Sequence, residues 1–460
     1  MPSPESCRKR GMMKKQVHPS GFSIKPILAS RAPGMVVLKW GLVAAMAVQG
    51  IISLALSMQS LLPQNVYRKD LIQEYLLAKA ILNGIAPYTP LAVLTNQFIG
   101  PLPNAVFQHP TPHPPPVALL SLPLGLLTYQ QTAIVWFVFE LVCVLVSVQG
   151  LLRCENRRPH TLLVLLIALL AMAWSPLNEE LAVGQMMTLK LALLVGAWQM
   201  LRAGKAARGG ILLGSAIAIK LIAWPLVIFL ALRRNWRAAG AAGAVLVAAN
   251  GGAAFWMGFQ ATADYYVKVC AAVSSLYRAH IGNFSLWTIG WRVFHGTGSP
   301  VLCGASAPPP LDAPGLAGPV AFILPLILLG IGLLLAARAS TFDASFGLLI
   351  CVSLLTSPIA WSHYLILTSI PLAIVAHRLL ALNLPARETN LAILVGLLLS
   401  IPRAALNNVI LMFAENSADA CSPVVPFAAT LISLVPAAAV LGLIWLIRTV
   451  DELSWHVPEA

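Results

Sequence analysis

Residues 316–337 read LAGPVAFILPLILLGIGLLLAA, and none of these 22 residues is ionisable. About 20 apolar residues in a helix span a hydrocarbon core of about 30 Å. The stretches 35–58, 131–152 and 425–447 are similar, with at most one charge each. In hydrocarbon every backbone N–H and C=O must find an internal partner, so only helices and closed barrels cross it. The ~10-residue alternating segments of a barrel are absent. The chain therefore reads as an all-α, polytopic membrane protein. Composition agrees: 58% of the 460 residues are hydrophobic and 10% charged, against about 25% charged in a soluble domain.

The net charge is +14, and its placement sets topology. Cations crowd the first 39 positions and recur at Arg153/Arg157/Arg158, Arg202/Lys205/Arg208, Arg233/Arg234/Arg237 and Arg378/Arg387. The positive-inside rule puts all of these on the cytoplasmic side, leaving 59–114, 175–184, 260–315 and 403–424 outside. A topology signal explains the basic N-terminus without nucleic acid as a partner. The apolar run after it is too long for a cleavable signal peptide. The expected organisation is a basic tail (1–34), a membrane domain (35–448) of about twelve helices, and a short C-terminal tail (449–460), both termini inside. No two of the seven cysteines form a CxxC pair, so no metal site is expected. Cys270, Cys303 and Cys421 map outside, where two of them could be bridged, with free thiols the expected state.

Residues 209–232 carry basic clusters at both ends, which must lie on one side. A hairpin of two short helices bent near Lys220 and Pro225 satisfies that, since proline breaks the ladder and irregular backbone at depth is tolerated where it lines a cavity. Lys220 would then sit inside the membrane domain. An intramembrane lysine costs ~2.5–3.5 kcal/mol on insertion scales and marks function unless it snorkels. No repeat relates two halves of the chain, which argues against many secondary transporters.

Four polar stretches interrupt this apolar frame. In RKDLIQEYLLAKAILNGIAPYTP (68–90), Asp70 with Gln73 reads as a capping box, and Asn83-Gly84 with Pro87 as a stop. The helix between them carries Leu71, Leu77, Ala78 and Ile81 and suits an amphipathic helix on the membrane surface. Its carboxylate Asp70 has two readings, an N-cap or a general base. HPTPHPPPVALLSLPLGLL (109–127) places His109 and His113 in a rigid re-entering loop, as structure or as pocket lining. GSAIAIKLIAWP (214–225) carries Lys220, a good phosphate partner. TSPIAWSHYLIL (356–367) puts Trp361, His363 and Tyr364 in a tight connection, either an interfacial belt or part of a site. Glu179, Glu180, Gln185, Asn283, Ser285, Arg278, Arg292 and Arg403 are weaker candidates, and Lys190 reads as a snorkelling residue.

Taken in order, these motifs resemble glycosyltransferase family 87, whose members are GT-C-fold mannosyltransferases that use polyprenyl-phosphate sugars. The similarity rests on DLIQEYLLAKAILNGIAPY (70–88), PPPVALLSLPLGLL, the Gly184-Gln185 pair, Gly214 with Lys220, Asn283-x-Ser285, and Ser-Pro-x-x-Trp-x-His-Tyr (357–364). It spans about 60–370. Leu71, Glu74 and Lys79 stand where the family usually has Phe, Tyr and Arg, which puts the family's usual substrate in doubt.

The resemblance implies a GT-C-type membrane hexosyltransferase, with mannose as the family's sugar. Its donor is a polyprenyl-phosphate sugar and its acceptor a lipid or glycan hydroxyl, on the outer face of the inner (plasma) membrane. Transfer inverts the anomeric centre, with Asp70 as base. Lys220, His363, Lys79 and Arg278 are expected at the donor phosphate, and Glu74, Tyr75, Tyr88, His113, Gln185, Asn283, Trp361 and Tyr364 around the substrates. The leaving group is already a phosphate, so one carboxylate is enough and no metal or cofactor is expected. Membrane lipids are the other expected contacts. A secondary transporter with Lys220 in its coupling site is the alternative, and a non-catalytic lipid-binding protein a third.

Overall fold

The computed structural model describes residues 33–102, 107–153, 159–298, 304–382, 386–414 and 422–456. Most of the basic N-terminal tail, Arg157, Arg158, Cys7, Cys154, Cys303 and Cys421 lie outside the described residues; Cys270 is a free thiol. Among the described residues all regular elements are helical, with isolated bridges at Thr297–Ala307 and Ser306–Val424.

Among the described residues six helices are long and apolar enough to cross a membrane: Val37–Gln59, Tyr129–Leu152, Trp236–Met257, Pro314–Arg338, Ser362–Leu380 and Phe427–Leu453. Two bent pairs raise this to eight: Thr161–Ala171 with Ser175–Val183 at 84°, and Ala386–Leu399 with Arg403–Leu411 at 75°. On Pro314–Arg338 the side chains of Phe322, Ile323 and Leu326 stand exposed, as lipid-facing residues do. Other segments expected as crossings are shorter. Phe342–Leu355 is apolar and buried on nearly every side, which makes it the centre of the bundle rather than its rim.

The bend at Lys220 is present. One helix ends at Ile219, Lys220 is extended (φ −157°, ψ 128°), and another helix starts at Pro225. A Cβ on Gly210 would lie 2.2 Å from the Ala238 carbonyl oxygen, and one on Gly214 would lie 2.6 Å from that of Ala242. Residues 210 and 238 are therefore side by side, so the chain between them goes out and comes back. Both basic clusters end at one level, and the two glycines allow the backbones to touch as small residues do between membrane helices.

Two expectations for the polar helix fail. Ile72–Leu82 buries eight of its eleven residues, including Gln73 and Glu74. It is enclosed by the Pro115–Ser121 helix and the Leu122–Leu126 turn instead of resting one apolar face on a membrane. Its N-cap is Leu71, with no side-chain capping bond. Asp70 stands one residue before that N-cap, which leaves its carboxylate available for other partners.

Candidate active site

Asp70 is held by the residues on either side of it. Leu71 N–H donates to the Val183 carbonyl at 3.3 Å. Lys69 is buried, and its ammonium donates to the carbonyls of Leu181 (2.8 Å) and Ala182 (2.8 Å) and to Ser60 Oγ (2.9 Å). These carbonyls close the Ser175–Val183 helix, so Lys69 caps its C-terminus as a cation should. Gly184 ends that helix in the left-handed region (φ +69°), and a Cβ there would come within 2.9 Å of Lys69 Cε. Only glycine meets both demands at no cost. The next residue, Gln185, is thereby set against Asp70, and its Nε2 donates to Asp70 Oδ2 at 2.8 Å.

The other end of the same carboxamide meets Lys220, whose Nζ donates to Gln185 Oε1 at 2.9 Å. The amide orientation follows from its neighbours, since a carboxylate needs the NH2 and an ammonium needs the oxygen. The Lys220 ammonium also lies 3.9 Å from the Tyr364 ring centroid, a cation–π contact.

The bend that carries Lys220 is fixed by Lys190, which is fully buried and donates to the carbonyls of Ala216 (2.7 Å), Lys220 (2.6 Å) and Ile222 (3.1 Å). The expectation of a snorkelling Lys190 is therefore wrong: its ammonium is taken up inside the protein by the carbonyls freed where the helix stops at Ile219. Ala223, buried within the bend, holds φ +71°, strain that persists only where the surroundings enforce it.

Carboxylates and histidines surround this chain of contacts. His363 Nε2 is 4.0 Å from Glu180 Oε2, and Glu180 Oε1 accepts from Met187 N–H at 2.6 Å. His113 Nε2 lies 3.0 Å from Glu74 Oε1, both side chains buried. Burial pushes the Asp70 carboxyl above its ordinary range; the Gln185 amide opposes the shift, Glu74 adds to it, and His113 and Lys220 reduce it. Asp70 is thus a stronger base than an aspartate in water.

The two bent pairs meet at the rim. Arg403 N–H donates to Glu179 Oε1 at 2.9 Å, and Ser362 Oγ donates to Glu179 Oε2. The Arg403 guanidinium lies over Trp361 at 5.1 Å. His109 Nδ1 donates to the Pro110 carbonyl (2.7 Å), so its Nε2 accepts from Tyr277 Oη (2.9 Å). Among the described residues no three His, Cys, Asp or Glu side chains group to hold a metal ion.

Of the residues singled out in the sequence, Asp70, Gln185, Lys220 and Tyr364 form one continuous set of contacts, and His363, Glu74 and His113 border it. Trp361 sits on the rim. The rest are engaged elsewhere. Tyr75 Oη donates to the Leu127 carbonyl at 3.3 Å, and Lys79 lies over the Tyr75 ring at 5.6 Å. Tyr88 Oη donates to the His113 carbonyl at 3.2 Å. Asn283 braces two loops, accepting from Ser285 N–H and Ala360 N–H and donating to the Tyr277 and Pro358 carbonyls. Arg278 is exposed and stacks on Trp291 at 3.7 Å. Arg292, a weaker candidate, is buried and donates to the carbonyls of His280, Ile281 and Asn283. Sequence reasoning passed over Lys69 and Tyr277. Lys69 stands beside Asp70, which was the available signal; nothing marked Tyr277.

The family model of glycosyltransferase family 87 matches residues 112–358, more than half of the chain. Gln185, Lys190 and Lys220 lie inside the matched region; Asp70 precedes it and His363 follows it. No curated protein and no solved structure matches the chain.

Proposed function

The chain belongs to glycosyltransferase family 87, and from that premise we propose that it transfers a hexose, with mannose the first candidate, from a polyprenyl-phosphate sugar to a lipid or glycan hydroxyl. The observation that carries this reading is the Asp70–Gln185–Lys220 chain, which holds a base and a cation at opposite ends of one carboxamide. In a single displacement the acceptor oxygen forms a bond to the sugar's anomeric carbon, the bond from that carbon to the phosphate oxygen breaks, and the configuration inverts. The acceptor proton passes to Asp70. The electron pair leaves with the phosphate, whose growing charge meets the Lys220 ammonium; fixed charges aimed at developing charge are a large source of rate enhancement. His363, whose Nε2 has no hydrogen-bond partner among the described residues, stands ready to donate to the same phosphate. Lys79 and Arg278, drawn to the rings of Tyr75 and Trp291, are left out of the phosphate site. The acceptor site is assigned to the side of Asp70 facing Glu74 and His113, and the rim of Trp361, Tyr277 and Arg403 to the sugar. The reaction takes place on the outer face of the inner membrane, in a GT-C-type architecture whose short and bent helices complete about twelve crossings.

Purified protein incubated with labelled polyprenyl-phosphate hexose and a membrane lipid extract should yield a labelled product and free polyprenyl phosphate. Transfer from a nucleotide sugar in place of the lipid-linked donor would overturn the donor assignment. The transporter alternative predicts gradient-dependent uptake into proteoliposomes without a covalent product.

A further inference from the structure

Three helices run away from Asp70 and Lys220 and end beside a second cavity. Tyr129–Leu152 is followed there by Arg153, Met187–Arg202 closes with Arg202, and Ser369–Leu382 carries Arg378 near its end. Met187–Arg202 alone has 16 residues, about 24 Å at 1.5 Å per residue, so this cavity is at the opposite end of the bundle from the Asp70 site. Its volume is about 250 Å³.

The cavity has apolar walls, from Val148, Ile167 and Ile374, and a cationic mouth. Its one carboxylate, Asp343, is already engaged: Arg202 Nε lies 3.1 Å and Trp198 Nε1 2.9 Å from Asp343 Oδ1, and the Arg202 guanidinium stacks on Trp198 at 4.9 Å. Among the described residues Arg153 and Arg378 have no carboxylate partner. Two guanidinium groups with no carboxylate partner among the described residues, over an apolar pocket, match a ligand with an anion at one end and hydrocarbon at the other. The space is too small for a whole phospholipid but takes a head group and its first methylenes. From Ile167 the hydrocarbon continues over Leu162 and Leu166, which are 70% and 38% exposed on the neighbouring Thr161–Ala171 helix.

We propose that this cavity holds the head group of an anionic phospholipid, its phosphodiester between Arg153 and Arg378 and its acyl chain along the 161–171 helix. Basic pockets between membrane helices recognise anionic head groups in this way. A zwitterionic lipid brings its own cation to an already cationic mouth, and free phosphate leaves the apolar walls unfilled. The site is separate from sugar transfer and independent of the donor assigned above.

The test uses full-length, delipidated protein in detergent, titrated with phosphatidylglycerol, phosphatidylcholine and inorganic phosphate and read by native mass spectrometry. Phosphatidylglycerol should bind at least ~10-fold tighter than phosphatidylcholine. The Arg153→Ala/Arg378→Ala variant should bind it about 30-fold more weakly, from about one kcal/mol per cation, while sugar transfer in detergent is unchanged. If the double variant does not fold, Arg153→Ala alone, at an exposed position, should show about a 5-fold loss on the same scale, and Arg153→Lys should restore most of it. Equal binding of the two lipids, unchanged binding by the alanine variants, or full displacement by millimolar phosphate each overturns the proposal.

Discussion

Replacing Asp70 with Asn tests the base directly and changes little else. Asn keeps an acceptor oxygen for Gln185 Nε2 at the 2.8 Å position, so the carboxamide and the Lys220 ammonium on its far side stay where they are. Donor binding should therefore survive. What is lost is proton transfer, typically worth 10²–10⁴-fold in rate, or about 2.7–5.4 kcal/mol at 1.36 kcal/mol per factor of ten. Stability should move the other way. Burial raises the folded pKa of Asp70, so the folded state holds this proton more tightly than the unfolded state. Stability then falls as pH rises from the unfolded value, about 3.9, through the folded one, and the penalty is complete above it. At neutral pH the penalty is about 1.4 kcal/mol for every tenfold by which folding weakens the acid, and Asn does not carry it. Steady-state transfer and thermal melting, measured on one preparation, should show kcat reduced at least ~100-fold with a melting temperature equal to or above that of the unmodified protein. Near-normal turnover, or a melting temperature that falls along with activity, would refute the reasoning.

The acid limb of kcat/KM should lie above the ordinary aspartate range, because Asp70 must be ionised and burial raises its pKa; Gln185→Ala, which removes the donor favouring the ionised form, should move that limb to higher pH. Gly184→Ala places a side chain at φ +69° and 2.9 Å from Lys69 Cε, and should lower kcat by up to about 100-fold, the scale of a 1 Å misplacement. Lys190→Met orphans three carbonyls at roughly 1–3 kcal/mol each, so melting in detergent should fall steeply, whereas Lys220→Met should lose transfer and keep most of its stability.

The apolar frame was legible because hydrocarbon leaves a chain few options, and residues 316–337 admit one reading. The fold-back at Lys220 was legible for a similar reason, since two basic clusters had to share a side. The environment of the 72–82 helix was not. Its apolar positions read as the face of a helix on the membrane surface, but the Pro115–Ser121 segment packs against it and its polar Gln73 and Glu74 are buried too, a tertiary contact that no local pattern encodes. Asp70, Gln185, Lys220 and His363 were found as polar residues out of place, although 293 residues separate the first from the last. Lys190 was misjudged because a lysine capping a broken helix and one reaching for the interface have the same local sequence. Lys69 carries no local mark of its own beyond its place next to Asp70, because the carbonyls of Leu181 and Ala182 that it caps are 112 and 113 residues away.

The junction of the two bent helix pairs affects how the protein is made. Glu179 finds its partners in Ser362 and Arg403, 183 and 224 residues downstream. At ~5–20 residues per second, a ribosome takes about 9–37 s to reach Ser362 and about 11–45 s to reach Arg403, and until each is made the Glu179 carboxylate sits in a half-built bundle without it. The mouth of the site is thus among the last parts to close during biogenesis, and a chain stopped short of Arg403 would leave one Glu179 oxygen without the backbone N–H it accepts from.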